Sequence, residues 1–514
     1  MSDGGYITEV AYPDLCHPFM APVWLNYVAA RNGHAPRPLD PGFTYLDLGC
    51  GLALTATTLA ASYPQGRFFG VDINAAHIGP AKARAQECGV GNLDLIEGDF
   101  AALPDGRIPP LDFAVLHGFY SWVGPAVRDQ AVEFLARKIK PGGLVLASYN
   151  ALPGWASIEP LRRLMRAFTA SVQGGVLEKA MAARRWLAEL KVEDIAFLEN
   201  HPSARREIQA MQAQDLRYFV HEYFHRDWGL FYVDQVARDF ARAGLAFAGS
   251  LPTGFNDPMI ALPEALRGVA ASGSRIATEQ LKDFANDERL RIDVFVRSDD
   301  APLSGSLRAD AYAGLAFGTI QPAPDPEIDI EVGRRKLRID HRAEPGARAL
   351  FEGLAVRPMT DETLRRVPGA PGQHAEFLAA LDSLLDGGQF RPFATTAPAL
   401  GPAPENVVAS SAFNRRLLDA GSSWREAVLA SPVVGDGVPL DGFAVIALRA
   451  YVDAGRRGAA ERAARLFEAT GETLRRDGAA VPPSEGAQAI AGETERFLER
   501  VAPRLLQLDV IRPA

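Results

Sequence analysis

Asp47, Gly49, Cys50 and Gly51 fall within five residues, in the run Tyr45-Leu46-Asp47-Leu48-Gly49-Cys50-Gly51. Asp72 follows about 20 residues past the turn, at the end of a second apolar stretch, Arg67 to Val71. Glycine tolerates positive φ and has no Cβ, so closely spaced glycines let a backbone turn sharply and press against a ligand. A carboxylate at the end of the next strand can accept hydrogen bonds from ribose hydroxyls. These residues therefore suit an adenosine-bearing cofactor. A dinucleotide fingerprint, G-x-G-x-x-G, needs a third glycine where this chain has Leu54. Asp47 discriminates further, because a pyrophosphate is repelled by a neighbouring carboxylate and an ammonium group is attracted to it. S-adenosylmethionine carries an amino-acid head and a sulfonium but no phosphate, so the acid favours it over NAD.

Strands, a turn and a helix must position these groups. Tyr45, Leu46 and Leu48 give a short apolar strand, and Thr55 to Ala61 an alanine-rich helix whose first amides point at the ligand. Leu93 to Phe100 reads as a third strand with an acidic loop, and Leu111 to Leu116 as a fourth. His117-Gly118-Phe119-Tyr120-Ser121-Trp122 follows it, and Lys140-Pro141-Gly142-Gly143 turns into a fifth strand, Leu144 to Tyr149. In this order the segments resemble the class I S-adenosylmethionine-dependent methyltransferases, whose motif I, D-x-G-x-G, stands here as Asp47 to Gly51. The resemblance implies an α/β fold with a doubly wound Rossmann-like sheet. It also implies a cofactor site of Asp47, Gly49, Cys50, Gly51, Asp72, Ile73, Asp99, Phe100 and His117. Asp72 stands at the ribose-binding acid, and Asp99 where the adenine amino group is usually met.

Methyl transfer is an in-line displacement at a sulfonium carbon, so the nucleophile must be aligned and uncharged. Deprotonating a lysine amine at neutral pH spans about three pKa units, or about 4 kcal/mol. An aromatic slot lowers that cost by desolvation, and aromatic faces suit the sulfonium and the methylated ammonium. Tyr120 and Trp122, after the fourth strand, are candidates for that role. The Asn/Asp-Pro-Pro-Tyr run of many base-directed amino methyltransferases does not occur there. A second cluster runs from Tyr218 to Trp228. His221 and His225 lie four apart and share a helix face, with Glu222 beside them. His221-Glu222-Tyr223-Phe224-His225 matches the letters of the zinc motif H-E-x-x-H, but no third ligand is evident and no metal is expected. His221 and Glu222 are instead candidates for orienting substrate.

The 514 residues suggest about three domains. A formal net charge of −9 argues against a general nucleic-acid binder. No apolar run approaches the roughly 18 residues of a membrane span, so no membrane insertion is expected. The N-terminus lacks a secretory pattern, and Cys16, Cys50 and Cys88 share no metal-ligand spacing. A reducing cytoplasm fits.

Residues 1–40 are rich in aromatics, among them Tyr6, Tyr12, Trp24 and Tyr27, and Pro22 to Arg31 reads as an amphipathic helix. This arm either lies across the cofactor as a lid, with Tyr6 counted as a candidate catalytic residue, or packs on the core. Residues 156–218 read as a helical insertion suited to homodimerisation or substrate docking. The sheet resumes with Ala246 to Leu251 and Leu290 to Val296, so the catalytic domain spans 1–298. An α+β domain over 299–398 has a hairpin at Ile328 to Arg342 around Gly333, then helices and a short strand in a winged-helix-like order. A mostly helical domain covers 405–514, with an irregular break at residues 428–440. The whole arrangement resembles bacterial methyltransferases with a regulatory domain, a group that includes rickettsial outer-membrane-protein lysine methyltransferases. That implies a protein substrate N-methylated at lysine, with S-adenosylhomocysteine as product. The competing readings are a small-molecule O-, N- or C-methyltransferase with a capped pocket, and a non-catalytic cofactor sensor.

Overall fold

The protein is described here by a computed structural model, which covers residues 14–298, 302, 305–332, 335–420, 426–472, 475–476, 479–480 and 483–514. Tyr6 and Tyr12 lie outside the described residues.

Seven strands form one sheet: β1 (Thr44–Leu48), β2 (Arg67–Asp72), β3 (Leu93–Glu97), β4 (Leu111–Leu116), β5 (Ile139–Asn150), β6 (Ala246–Leu251) and β7 (Leu290–Val296). Their order is β3-β2-β1-β4-β5-β7-β6. The first five run parallel, and β7 is antiparallel to both of its neighbours. Every residue of β1 and β4 is buried, as expected of central parallel strands covered by helices on both faces. The order reverses direction at β1/β4, and in open α/β sheets that switch point is where the crevice for a ligand forms.

Helix α1 (Pro22–Arg31) precedes the sheet; α2 (Leu54–Ser62), α3 (Ala75–Glu87) and α4 (Pro125–Lys138) connect its strands. Nine of the ten α1 residues are buried, so the helix is not amphipathic towards water as the sequence suggested. One side packs on the sheet, and the other meets the middle of the chain, where Tyr27 donates to Asp382 and Arg31 pairs with Asp386.

Between β5 and β6 come α5 (Glu159–Phe168), α6 (Val176–Glu189), α7 (Ala196–Asn200), α8 (Pro202–Ala213), α9 (Leu216–Phe224) and α10 (Val233–Ala241). α5 to α9 share a core of their own, which includes Leu161, Met165, Leu187, Met211, Phe219 and Tyr223. α11 (Pro258–Ala261), α12 (Glu264–Ser272) and α13 (Arg275–Asn286) then lead into β7.

Beyond the sheet, β8 (Ala316–Gly318) precedes an antiparallel hairpin of β9 (Glu327–Val332) and β10 (Arg335–Asp340). This is the expected hairpin, although Gly333 at its turn lies outside the described residues. α14 (Pro345–Val356), β11 (Met359–Thr360), α15 (Asp361–Leu364), α16 (His374–Asp386) and β12 (Arg391–Phe393) follow. The helix-strand-helix-helix-strand order is winged-helix-like, but β8, supplied from upstream, is the central strand of the order β11-β8-β12. Its alternation joins two cores: Phe317 packs with Leu350 and Phe377, and Ala316 packs with Val434 and Leu508.

The last part holds β13 (Val407–Ala409), α17 (Ala412–Ala420), β14 (Ala427–Ser431), β15 (Asp436–Leu440), α18 (Gly442–Glu468), β16 (Arg475–Arg476), β17 (Ala479–Ala480), α19 (Pro483–Arg500), α20 (Ala502–Gln507) and β18 (Ile511–Pro513). It is mostly helical, but the stretch read as an irregular break is the β14–β15 hairpin. Pro439 is tolerated there because it sits exposed at an edge, where no ladder donor is needed. This hairpin packs on α2, with Ser431 N–H donating to Ser62 Oγ. Among the described residues no helix is long and apolar enough to cross a membrane.

Candidate active site

The loop after β1 is fixed from both sides. Gly49 N–H and Cys50 N–H donate to Val71 O at 2.8 and 3.1 Å, drawing the turn against β2. Gly51 N–H donates to Asp72 Oδ2 at 2.8 Å, and Asn74 N–H to Asp72 Oδ1 at 2.8 Å. Gly49 has φ +80, and a Cβ there would lie 3.0 Å from Phe119 Cδ2, so glycine is required on both conformational and steric grounds. Ala53, left-handed at φ 56, turns the chain into α2.

Two cavities meet at this loop and share Gly49, Gly118 and Trp122. The first is lined by Asp47, Cys50, Gly51, His117, His221 and His225, together with Asp14, Leu15, His17 and Met20 from the N-terminal arm. The second is lined by Asp72, Ile73, Asp99, Phe100 and Phe119. All nine residues expected to hold the cofactor thus border one continuous crevice at the C-terminal ends of β1 to β4.

The electrostatics of the first cavity suit a cationic amino-acid head. Asp47 is 3% exposed, and burial, then the neighbouring Asp72, push its carboxyl up to about 7. Among the described residues nothing hydrogen-bonds that carboxylate, so an ammonium group satisfies it. His117 accepts from or donates to Ser148 Oγ at 2.8 Å, and burial, then His17, lower it to about 3, so it is neutral. In the second cavity each oxygen of Asp72 takes one backbone N–H and Oδ1 also faces His77 Nδ1 at 3.4 Å, so Oδ2 is the oxygen that keeps a lone pair for a ribose hydroxyl. Asp99 accepts from Ala101 N–H at 2.9 Å through one oxygen only. Ile73, half exposed beside these acids, and buried Phe100 offer apolar faces for a planar base.

Residues 14–20 cross the first cavity. His17 N–H donates to Thr55 Oγ1 at 3.0 Å, Arg84 pairs with Asp14, and the His17 ring lies edge-on to His117 at 4.4 Å. Both arrangements expected for the arm thus occur in part: residues 14–20 border the cavity, while Met20 and α1 pack on the core.

The remaining candidates separate. Trp122 and His221 line the first cavity. His225, not selected from the sequence, joins them: its ring lies 5.2 Å from Trp122, and its Nε2 is 3.4 Å from His221 Nδ1. Tyr120 is fully buried on the other side of its loop, packed on Phe231 and Phe240, with its hydroxyl donating to Asp239 at 2.5 Å. Glu222 also turns away: one residue from His221 is a 100° rotation on α9, which sets it towards Arg289, Glu207 and Tyr218. Burial pushes its carboxyl up to about 7. The H-E-x-x-H letters therefore do not converge on one point.

Residues 46–143 match the methyltransferase domain family, and residues 215–297 match a family described as a predicted methyltransferase regulatory domain. The chain is an S-adenosylmethionine-dependent methyltransferase with a class I fold. An uncharacterised Synechocystis protein is 27% identical to the enzyme over 447 residues, 85% of each chain. An uncharacterised Rickettsia prowazekii protein is 32% identical over 157 residues, 30% of this chain and 62% of that one. PKMT2 from Rickettsia typhi superposes with a TM-score of 0.71 at 18% identity, covering 97% of this chain and 99% of the other. A second PKMT2 structure, in complex with AdoHcy, gives 0.71 at 19% identity. The likeness extends the shared fold over the middle and C-terminal parts. The regulatory-domain match begins at Asp215, the N-cap of α9, so it contributes His221 and His225 to the crevice.

Proposed function

We propose that this methyltransferase N-methylates lysine side chains of a protein substrate, and that its catalytic part is residues 1–298, followed by 299–398 and 405–514 as substrate-holding domains. The observation that carries the reading is the whole-chain likeness to PKMT2, a protein lysine methyltransferase, since it includes the half of the chain that a cofactor site does not need.

Asp47 receives the amino group of the methyl donor, Asp72 the ribose hydroxyls and Asp99 the adenine amino group. Gly49, Cys50 and Gly51 leave room for close backbone approach, Ile73 and Phe100 flank the base, and neutral His117 backs the amino-acid portion. Bound S-adenosylmethionine supplies an electrophilic methyl carbon. Trp122, shared by both cavities, offers a π-face to the sulfonium and to the lysine ammonium. His221 and His225 stand beside it, placed to accept the proton the lysine must lose before its Nζ lone pair forms the new N–C bond as the C–S bond breaks. The exposed Leu164 and Phe168 on α5 and Met181 on α6 support a homodimer through the insertion, which light scattering tests directly.

Incubating the full chain with methyl-tritiated S-adenosylmethionine and a cell extract tests the substrate class. Label in protein bands supports the proposal. Label confined to extractable small molecules overturns it and favours a capped small-molecule pocket.

A further inference from the structure

Behind the crevice lies a groove that the methyl-transfer chemistry does not use. It is lined by Arg162, Arg163 and Arg166 of α5, Arg226 just after α9, and Trp228, with Glu159 as its acidic member. Four guanidinium groups converge there on a chain whose formal net charge is −9. Glu159 is engaged by Arg163, and Asp227 lies beside Arg226. Arg162 and Arg166, one turn apart, make no ion pair among the described residues, although Glu159 and Glu222 act on Arg162 and Asp227 on Arg166 from farther off. Both point at a backbone oxygen, His225 O, which accepts from Arg162 and, at 2.7 Å, from Arg166.

Two further details point to a missing acceptor. Arg162 is 5% exposed, yet its Nε has no hydrogen-bond partner among the described residues. Trp228, whose ring carries the Arg162 guanidinium at 4.3 Å, leaves Nε1 unpartnered in the same way. A buried donor without an acceptor is costly, so two of them lining one groove favour a ligand rich in acceptor oxygens. The mutual repulsion is visible too: burial, then Arg166, hold the Arg162 guanidinium down to about 10. An anion in the groove offsets that repulsion, and guanidinium forks match carboxylates in bidentate geometry.

The groove is tied to the transfer site through one residue. The His225 carbonyl anchors Arg162 and Arg166, and the His225 ring lines the cavity beside Trp122. We infer that this arginine groove is a docking site for the carboxylates of an acidic segment of the protein substrate, seating glutamate or aspartate side chains that neighbour the target lysine. The inference rests on the proposed protein-lysine reading and adds to it a sequence preference. Leu164 and Phe168 lie on the opposite side of α5, so a dimer contact there leaves the groove open.

Binding separates this inference from the activity. A fluorescein-labelled peptide with one lysine flanked by three glutamates on each side is titrated with the full chain by anisotropy, beside the same peptide with glutamines. Arg163 and Arg226 are about 80% and 70% exposed, so Arg163→Glu/Arg226→Glu changes charge without disturbing the core. The glutamate peptide is expected to bind at least about tenfold more tightly than the glutamine peptide, and the double variant to lose about that factor. Circular dichroism and cofactor affinity should match the unmodified enzyme. Equal binding of the two peptides, or an unchanged Kd in the variant, overturns the inference. Displacement of the glutamate peptide by millimolar inorganic phosphate supports a shared anion site. A groove that binds phosphate but no glutamate peptide assigns it to a free anion and also overturns the inference. None of these readouts needs methyl transfer, so failure to label protein refutes the lysine reading separately.

Discussion

Two short runs, Asp47-Leu48-Gly49-Cys50-Gly51 and His221-Glu222-Tyr223-Phe224-His225, look equally chemical as letters, and the structure treats them oppositely. The first is a strand passing into a turn. Its geometry is set by backbone bonds to Val71 and Asp72, so every letter in it reaches the crevice. The second is a helix, where adjacent residues diverge by 100°, so His221 and His225 reach the crevice while Glu222 is carried to Arg289. A motif built on a turn carries its own geometry. A motif built on a helix acquires meaning only from what packs against each face.

That contrast can be broken by substitution. The largest effect is expected at Gly49. Gly49→Arg puts a side chain at φ +80 against Phe119, and S-adenosylmethionine affinity by calorimetry should fall at least about 100-fold, with circular dichroism unchanged. Next comes the helix. His225→Ala should lower kcat by about 100-fold while cofactor affinity holds. Glu222→Gln should leave turnover within about twofold, because the group is half-buried, raised to about 7 and outside the crevice. A larger loss in Glu222→Gln than in His225→Ala breaks the comparison.

A smaller, graded effect is expected from Asp47. Its carboxyl is pushed up to about 7, and a cationic ligand binds the ionised form. Protonation competes with binding, so affinity should fall about tenfold per unit below that pH, and it should fall again above about 8, where the donor's own α-amino group loses its proton. Asp47→Asn should bind weakly at every pH and abolish the slope. A pH-independent affinity in the unmodified enzyme contradicts the assignment of Asp47 to the ammonium. The smallest effect is expected at Tyr120. Tyr120→Phe removes one bond to Asp239, which keeps Arg242, and should cost about 1 kcal/mol of stability with kcat unchanged.

The cofactor half of the site was legible because its parts are local and ordered. β6 and β7 begin and end at the bounds read from the sequence, residues 246–251 and 290–296. The acceptor half was not, because it is assembled from segments far apart in sequence. His17 arrives from an arm marked only by its aromatic content, and His225 gains its role from Trp122, about a hundred residues earlier. Tyr120 misled for a related reason. It sits next to crevice residues, but its side chain points into the core formed with Phe231 and Phe240. The β14–β15 hairpin was hidden by Pro432 and Pro439, which mark irregular chain unless one strand edge is known to face solvent.

We propose above all that the crevice between the glycine turn and α9 delivers a methyl group to protein lysine. The most direct measurement is amino-acid analysis of extract proteins labelled from tritiated S-adenosylmethionine by the full chain, run beside Trp122→Ala. Radioactivity is expected in methylated lysine, reduced roughly tenfold in the variant. Label in another residue, or equal labelling by the two proteins, contradicts it.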